Sequence, residues 1–232
     1  MKNIIFQLRP FLIISFSLFL FILLITLESD KTELHLFLNG FHSEFADAFF
    51  YHITAIGDAS FALILLPYLL CFASFRVFIW SVLTCLIAGL LAQFFKKIVF
   101  YDALRPSALI PIDQLHIVDS VHLYKMYSFP SGHTASAFAL FLLLAFYNYR
   151  KTHVQYVMVF FAFLVGYSRV YLSQHFIEDV LFGGILGILS FFISFMMLQK
   201  FHFQTFNQSV FDLVFANNKI MLSFKQSFEW KI

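Results

Sequence analysis

Six stretches of this 232-residue chain are apolar and carry no Asp, Glu, Lys or Arg in their middles: residues 11–27, 59–75, 77–95, 134–149, 154–167 with its flanks, and 177–198. A hydrocarbon layer about 30 Å thick is crossed by about 20 helical residues, so each stretch reads as a transmembrane helix. The rest of the chain agrees. It is 61% hydrophobic and 12% charged, with 36 Phe, where a soluble domain is about 45–50% apolar and about 25% charged. A domain of this size could not hide that excess in a core. A water-soluble enzyme, a disordered chain and a nucleic-acid module are therefore excluded, and a formal charge of +2 implies no polyanionic partner.

The fold class expected is all-α, an integral membrane protein of six transmembrane helices. The apolar run after Lys2 and Arg9 exceeds the roughly 7–15 residues of a signal-peptide core, and no small-residue cleavage site follows, so it reads as a retained anchor. An interfacial amphipathic helix is expected over residues 45–56, and Pro67 is expected to kink the second span. With the N-terminus inside, nine basic residues (Lys2, Arg9, Arg76, Arg150, Lys151, Lys200, Lys219, Lys225, Lys231) lie inside and six (Lys31, Lys96, Lys97, Arg105, Lys125, Arg169) outside. The excess favours an N-in, C-in protein. Residues 1–198 form one membrane domain in this reading, and 199–232 a cytoplasmic or surface-adsorbed tail. Cys71 and Cys85 both lie in apolar runs and read as small buried hydrophobes, with neither a zinc spacing nor a disulfide framework.

The polar residues that stand out form three clusters. Lys96-Lys97 and Arg105-Pro106 follow the third span, Pro130-Ser131-Gly132-His133 opens the fourth, and Ser168-Arg169 with His175 and Asp179 joins the fifth to the sixth. Counting passes puts all three on one face. Taken singly, each reads as snorkelling cations or a solvated histidine; together they describe a site. Lysine and two arginines suit the oxygens of a phosphate. The backbone N–H groups of Ser131 and Gly132, at a helix start, can point at an anion. His175 and Asp179 share a helical face, so the carboxylate can orient the imidazole and leave its other nitrogen free to attack phosphorus. His133 can protonate the departing oxygen and later activate water. No carboxylate cluster suggests a two-metal site, so a metal-free, cofactor-free reaction is favoured.

These residues resemble the type 2 phosphatidic acid phosphatase superfamily, marked by Lys-x6-Arg-Pro, Pro-Ser-Gly-His and Ser-Arg-x5-His-x3-Asp. The second and third patterns are matched by Pro130–His133 and by Ser168 to Asp179, and the stretch Tyr51 to Asp58 is similar to the segment before the family's second helix. The resemblance implies a membrane phosphatase working through a phosphohistidine. It makes His175 the nucleophile, Asp179 its partner and His133 the acid/base, with Lys97, Arg105, Ser131, Gly132 and Arg169 binding phosphate. The first pattern departs, because seven residues rather than six separate Lys97 from Arg105; Lys97 is nearer that spacing than Lys96.

His175, Asp179, Gly183 and Gly187 form one i, i+4 row, and Ser131, Ala135 and Ala139 another. The two rows are expected to pack together and set the separation of His133 from His175. The function expected is a lipid phosphate phosphatase at the extracytoplasmic face, of the plasma (inner) membrane if the cell is bacterial. Its substrate would be a polyprenyl diphosphate such as undecaprenyl diphosphate, phosphatidate, phosphatidylglycerol phosphate or a lipid A phosphate. Leu109, Ile110, Tyr124, Met126, Tyr127 and Phe129 either contact the lipid chain or anchor the interface. A phosphotransferase using the same phosphohistidine is the alternative. A transporter or scaffold belongs to another class, and the absence of midplane charge in the spans speaks against it.

Overall fold

The computed structural model describes residues 2–119 and 121–199. The tail expected over residues 199–232 lies, beyond Gln199, outside the described residues. The elements in order are α1 (Lys2–Gln7), α2 (Arg9–Glu28), α3 (Lys31–Asn39), α4 (Glu44–Ile53), a 3-10 turn (Thr54–Gly57), α5 (Ala59–Phe72) and α6 (Phe75–Phe94), which runs into a π-helical turn (Phe95–Val99). After α7 (Pro106–Leu109) and a 3-10 turn (Ile112–Gln114) come α8 (Gly132–Tyr147), α9 (Thr152–Tyr171) and α10 (Ile177–Gln199). Among the described residues there is no strand. Helix starts are set by side-chain caps that occupy otherwise unpaired N–H groups. Asp30 accepts from the amides of Thr32 and Glu33, Ser43 from Ala46, and Asp58 from Ser60.

Four helices are long and apolar enough to cross a membrane: Arg9–Glu28, Phe75–Val99, Thr152–Tyr171 and Ile177–Gln199. They coincide with the first, third, fifth and sixth of the expected spans. The other two fall on shorter helices. The 16 residues of α8 reach about 24 Å at 1.5 Å per residue. Glu44–Gly57 and Ser60–Cys71 form a pair bent by 65°. That bend sits at the break before Ser60, and Pro67 lies inside α5. The helix expected over 45–56 forms as α4 and its following turn. Large apolar side chains such as Phe16, Leu20, Phe21, Ile64, Leu90 and Phe160 face outward, which water would penalise and lipid does not. The protein is a multi-pass integral membrane protein.

Helix α8 lies at the centre, sheathed by α6, α9 and α10, with nearly every side chain from Thr134 to Leu143 buried. Phe138 is contacted edge-on or tilted by Phe11, Phe19 and Phe163, with ring centroids 4.9–6.3 Å apart. Polar ties cross the same region: Trp80 Nε1 donates to Ser194 Oγ at 3.0 Å, and Thr84 Oγ1 lies 2.6 Å from that hydroxyl. Such bonds hold helices together where lipid supplies no hydrophobic drive. The two expected rows do meet. A Cβ added at Gly183 would lie 2.5 Å from the Ser131 carbonyl oxygen, and one at Gly187 would meet Ala135, Phe138 and Ala139. Glycine is required at both positions because α8 and α10 touch backbone to backbone.

Candidate active site

The sharp reversal between α9 and α10 delivers His175. Arg169, in the last turn of α9, offers its carbonyl to the amides of both Gln174 (2.9 Å) and His175 (3.1 Å), and Ser173 turns the chain at φ 52°. His175, 1% exposed and in the loop just before α10, places Nδ1 3.1 Å from Oδ2 of Asp179 in the first turn of that helix. Asp179 is itself fixed: the same oxygen accepts from the Phe176 amide at 3.1 Å and from the Ser128 hydroxyl in a short bond. With Nδ1–H donated to the carboxylate, Nε2 keeps its lone pair. His175 lies among Arg105, Lys96, Arg169 and His133. Burial first, then the charges of Arg105, Lys96 and Arg169, hold its pKa well below the ordinary 6.5. It is neutral at neutral pH.

His133 stands in the first turn of α8, with Nε2 3.5 Å from Asp58 Oδ2. Arg169 is buried, and its Nη1 donates to Thr54 Oγ1 at 2.7 Å, while its Nε is buried with no partner among the described residues. A buried unpaired guanidinium N–H is costly unless a ligand satisfies it, so this donor marks a place for an acceptor. Arg105 is more committed. Its Nε donates to Met126 O (2.9 Å), Nη1 to both oxygens of Gln174 (2.9 and 3.2 Å) and Nη2 to Tyr127 O (3.4 Å). Its charge faces the site, but most of its N–H groups hold the loop around Tyr127 against Gln174.

Three expectations need correction. Lys97 is exposed, whereas Lys96 is half-buried and within electrostatic reach of Arg105, Arg169 and Asp179. Both stand in a π turn, in which the Phe100 amide donates to Phe95 O, five residues back, at 2.7 Å. One extra residue in a turn rotates everything after it, and spacing read as if α-helical misses that. The backbone N–H of Ser131 is not free for an anion. It donates to Asp179 O at 2.9 Å, and Ser131 Oγ caps α8 by accepting from Thr134 N (3.4 Å) and Thr134 Oγ1 (2.9 Å). Ser131 therefore ties the start of α8 to the first turn of α10, and Gly132 opens the helix beside it. Ile110 is buried with Leu115 and Phe176 rather than lining a mouth; Leu109, Tyr124, Met126 and Tyr127 are exposed.

Asp58, Thr54, Ser128 and Gln174 were not singled out as site residues, although Asp58 ends the stretch that resembles the segment before the second helix. Each is tens of residues from its partner in sequence, Gln174 from Arg105 included, and none sits in a spacing pattern. Among the described residues no three of His, Cys, Asp and Glu are grouped to hold a metal ion.

Residues 77–203 match the model of the PAP2 superfamily. The chain belongs to the PAP2 superfamily. Over 178 residues it is 32% identical to the lipid A 4'-phosphatase of Bacteroides thetaiotaomicron, an overlap of 69% of this chain and 73% of that protein. Its fold is similar to that of Aquifex aeolicus LpxE, with TM-score 0.62 and 28% identity over 72% of this chain and 94% of that one. It is also similar to the transmembrane PAP2 type phosphatidylglycerolphosphate phosphatase of Bacillus subtilis, with TM-score 0.57 and 27% identity over 81% of this chain and 97% of that one. The protein is a PAP2-type phosphatase, a phosphoric ester hydrolase.

Proposed function

We propose that this PAP2 protein removes phosphate from a membrane lipid through a phosphohistidine on His175. The observation that carries the reading is the convergence of the buried His175–Asp179 pair, His133 and three cations at one end of the bundle. In the first step His175 Nε2 bonds to phosphorus, the bond from phosphorus to the leaving oxygen breaks, and His133 gives that oxygen its proton. In the second, His133 takes a proton from water as the water oxygen displaces phosphate from His175. Lys96, Arg105 and Arg169 offset the charge on the transferring group, with the free Arg169 Nε as a direct donor, and the Ser131–Gly132 segment holds His133 in place.

A lipid substrate is favoured by the setting. Exposed Leu109, Tyr124, Met126 and Tyr127 fringe the site, and an open cavity of about 330 Å³ runs between α2 and α10 beside Asp179 and Ser128, walled by Leu23, Leu104, Phe129 and Phe182. The two named relatives with a stated substrate act on lipid A and on phosphatidylglycerolphosphate. We read α5 and α8 as the second and fourth of six spans, N-in and C-in. The basic-residue count then puts the site on the extracytoplasmic face of the membrane. Purified protein in detergent should release phosphate from phosphatidate or a polyprenyl diphosphate faster than from glycerol phosphate. Release from the soluble ester alone would contradict a lipid role.

The same assay tests the register of the first motif. Lys96→Ala is expected to lose about 10²-fold in kcat, the scale of one transition-state charge contact. Lys97→Ala should stay within about threefold, because an exposed charge contributes little. The reverse order would restore Lys97 as the phosphate ligand.

A further inference from the structure

We propose that Asp58 is a positioning residue for His133, one that suits the site to leaving oxygens that need a proton and so favours phosphate monoesters over diphosphates. The inference rests on the proposed function and names a substrate preference within it. Asp58 Oδ1 accepts the Ser60 amide at 2.8 Å as the cap of α5, which fixes the carboxylate and leaves Oδ2 3.5 Å from His133 Nε2. The backbone before it is pinned to the same histidine: a Cβ on Gly57 would lie 2.7 Å from the His133 carbonyl oxygen. Thr54, in that turn, holds Arg169. The segment from Thr54 to Asp58 thus touches both the acid/base histidine and a phosphate-side arginine.

The charges around His133 explain why a carboxylate is needed. Arg169 faces it from α9, Lys96 from the end of α6 and Arg105 from the start of α7, all cationic, and Asp58 faces it from the start of α5. Burial first, and then three cations, disfavour a proton on this imidazole, and the Asp58 charge attracts it. Asp58 is ionised at neutral pH: the Ser60 amide, with His133 and Arg169, holds its carboxyl below the usual range. A general acid must carry its proton when the bond breaks. In a lipid monoester the electron pair of the breaking bond goes to an alkyl oxygen that takes a proton from His133. In a diphosphate it goes to a phosphate oxygen that carries charge well without one.

The test is Asp58→Asn, which keeps a good cap for α5 and removes the charge. With purified enzyme in detergent, kcat for phosphatidate should fall by about 10–100-fold, a part of the roughly 10²–10⁴-fold that general-acid catalysis contributes, with KM little changed. The alkaline limb of its pH profile should move to lower pH, since His133 loses its proton sooner. Turnover of farnesyl diphosphate should change less than about threefold, which also reports that the variant is folded. Equal losses on both substrates, or an unmoved alkaline limb, would overturn the role of Asp58 while leaving the phosphatase reading intact. A wild-type enzyme that turned over neither lipid would overturn both.

Discussion

His175→Ala is expected to lose at least about 10⁴-fold in phosphate release, the scale at which removal of a nucleophile stops covalent catalysis. The protein should remain folded. Asp179 would lose one donor but keep the Ser128 hydroxyl and the Phe176 amide, so the substitution strands no buried charge. His133→Ala should depend on the substrate. It should be most severe for an alkyl phosphate monoester, which needs both the proton and the activated water, and smaller for an ester with a good leaving group such as p-nitrophenyl phosphate, where only the water step is slowed. Phosphate release by each variant against both substrates checks this. Residual turnover by His175→Ala within tenfold of wild type would assign the attack to another group.

The second large effect concerns a residue with no side chain. Gly183→Ala would set a Cβ 2.5 Å from the Ser131 carbonyl oxygen and 3.0 Å from Thr134 Cβ, so α8 and α10 must separate. Overpacking of this kind costs about 1–3 kcal/mol, which a membrane domain can survive. Catalysis should suffer more. Ser131 is bonded to Asp179 O, and His133 is two residues on, so the shift opens the gap between His133 and His175. A displacement of about 1 Å can cost about 10²-fold. Gly183→Ala is therefore expected to lose about 10²-fold in kcat while still purifying as folded protein. Gly89→Ala, where an added Cβ meets nothing within 4 Å, should be silent. Equal activity of the two variants would show that the rows do not set the site's geometry.

What the sequence made legible was local. The apolar runs marked the spans, the His175–Asp179 spacing gave their pairing, and the i, i+4 rows foretold the contact of Gly183 and Gly187 with α8. Local patterns failed where the backbone left ideal geometry. At the π turn of Phe95–Val99 Lys97 is exposed and Lys96 half-buried, and a 65° bend falls at the break between Gly57 and Ser60, just ahead of the helix of the second apolar segment. They also failed for partners joined only by the fold. Ser128 and Asp179 are 51 residues apart, and Thr54 and Arg169 are 115 apart. The amide of Ser131 looked available because a helix start leaves N–H groups unpaired, yet the close approach of α10 occupied it.

The central claim is that phosphate passes through His175. The most direct measurement is a brief reaction of the His133→Ala enzyme with a lipid diphosphate radiolabelled in its terminal phosphate, whose leaving oxygen needs no proton, quenched in base and followed by peptide mapping. The account predicts an acid-labile, base-stable label on the peptide containing His175, with none in the His133→Ala/His175→Ala double variant. Turnover by wild type with no label at His175, or a stable label on another residue, would contradict it.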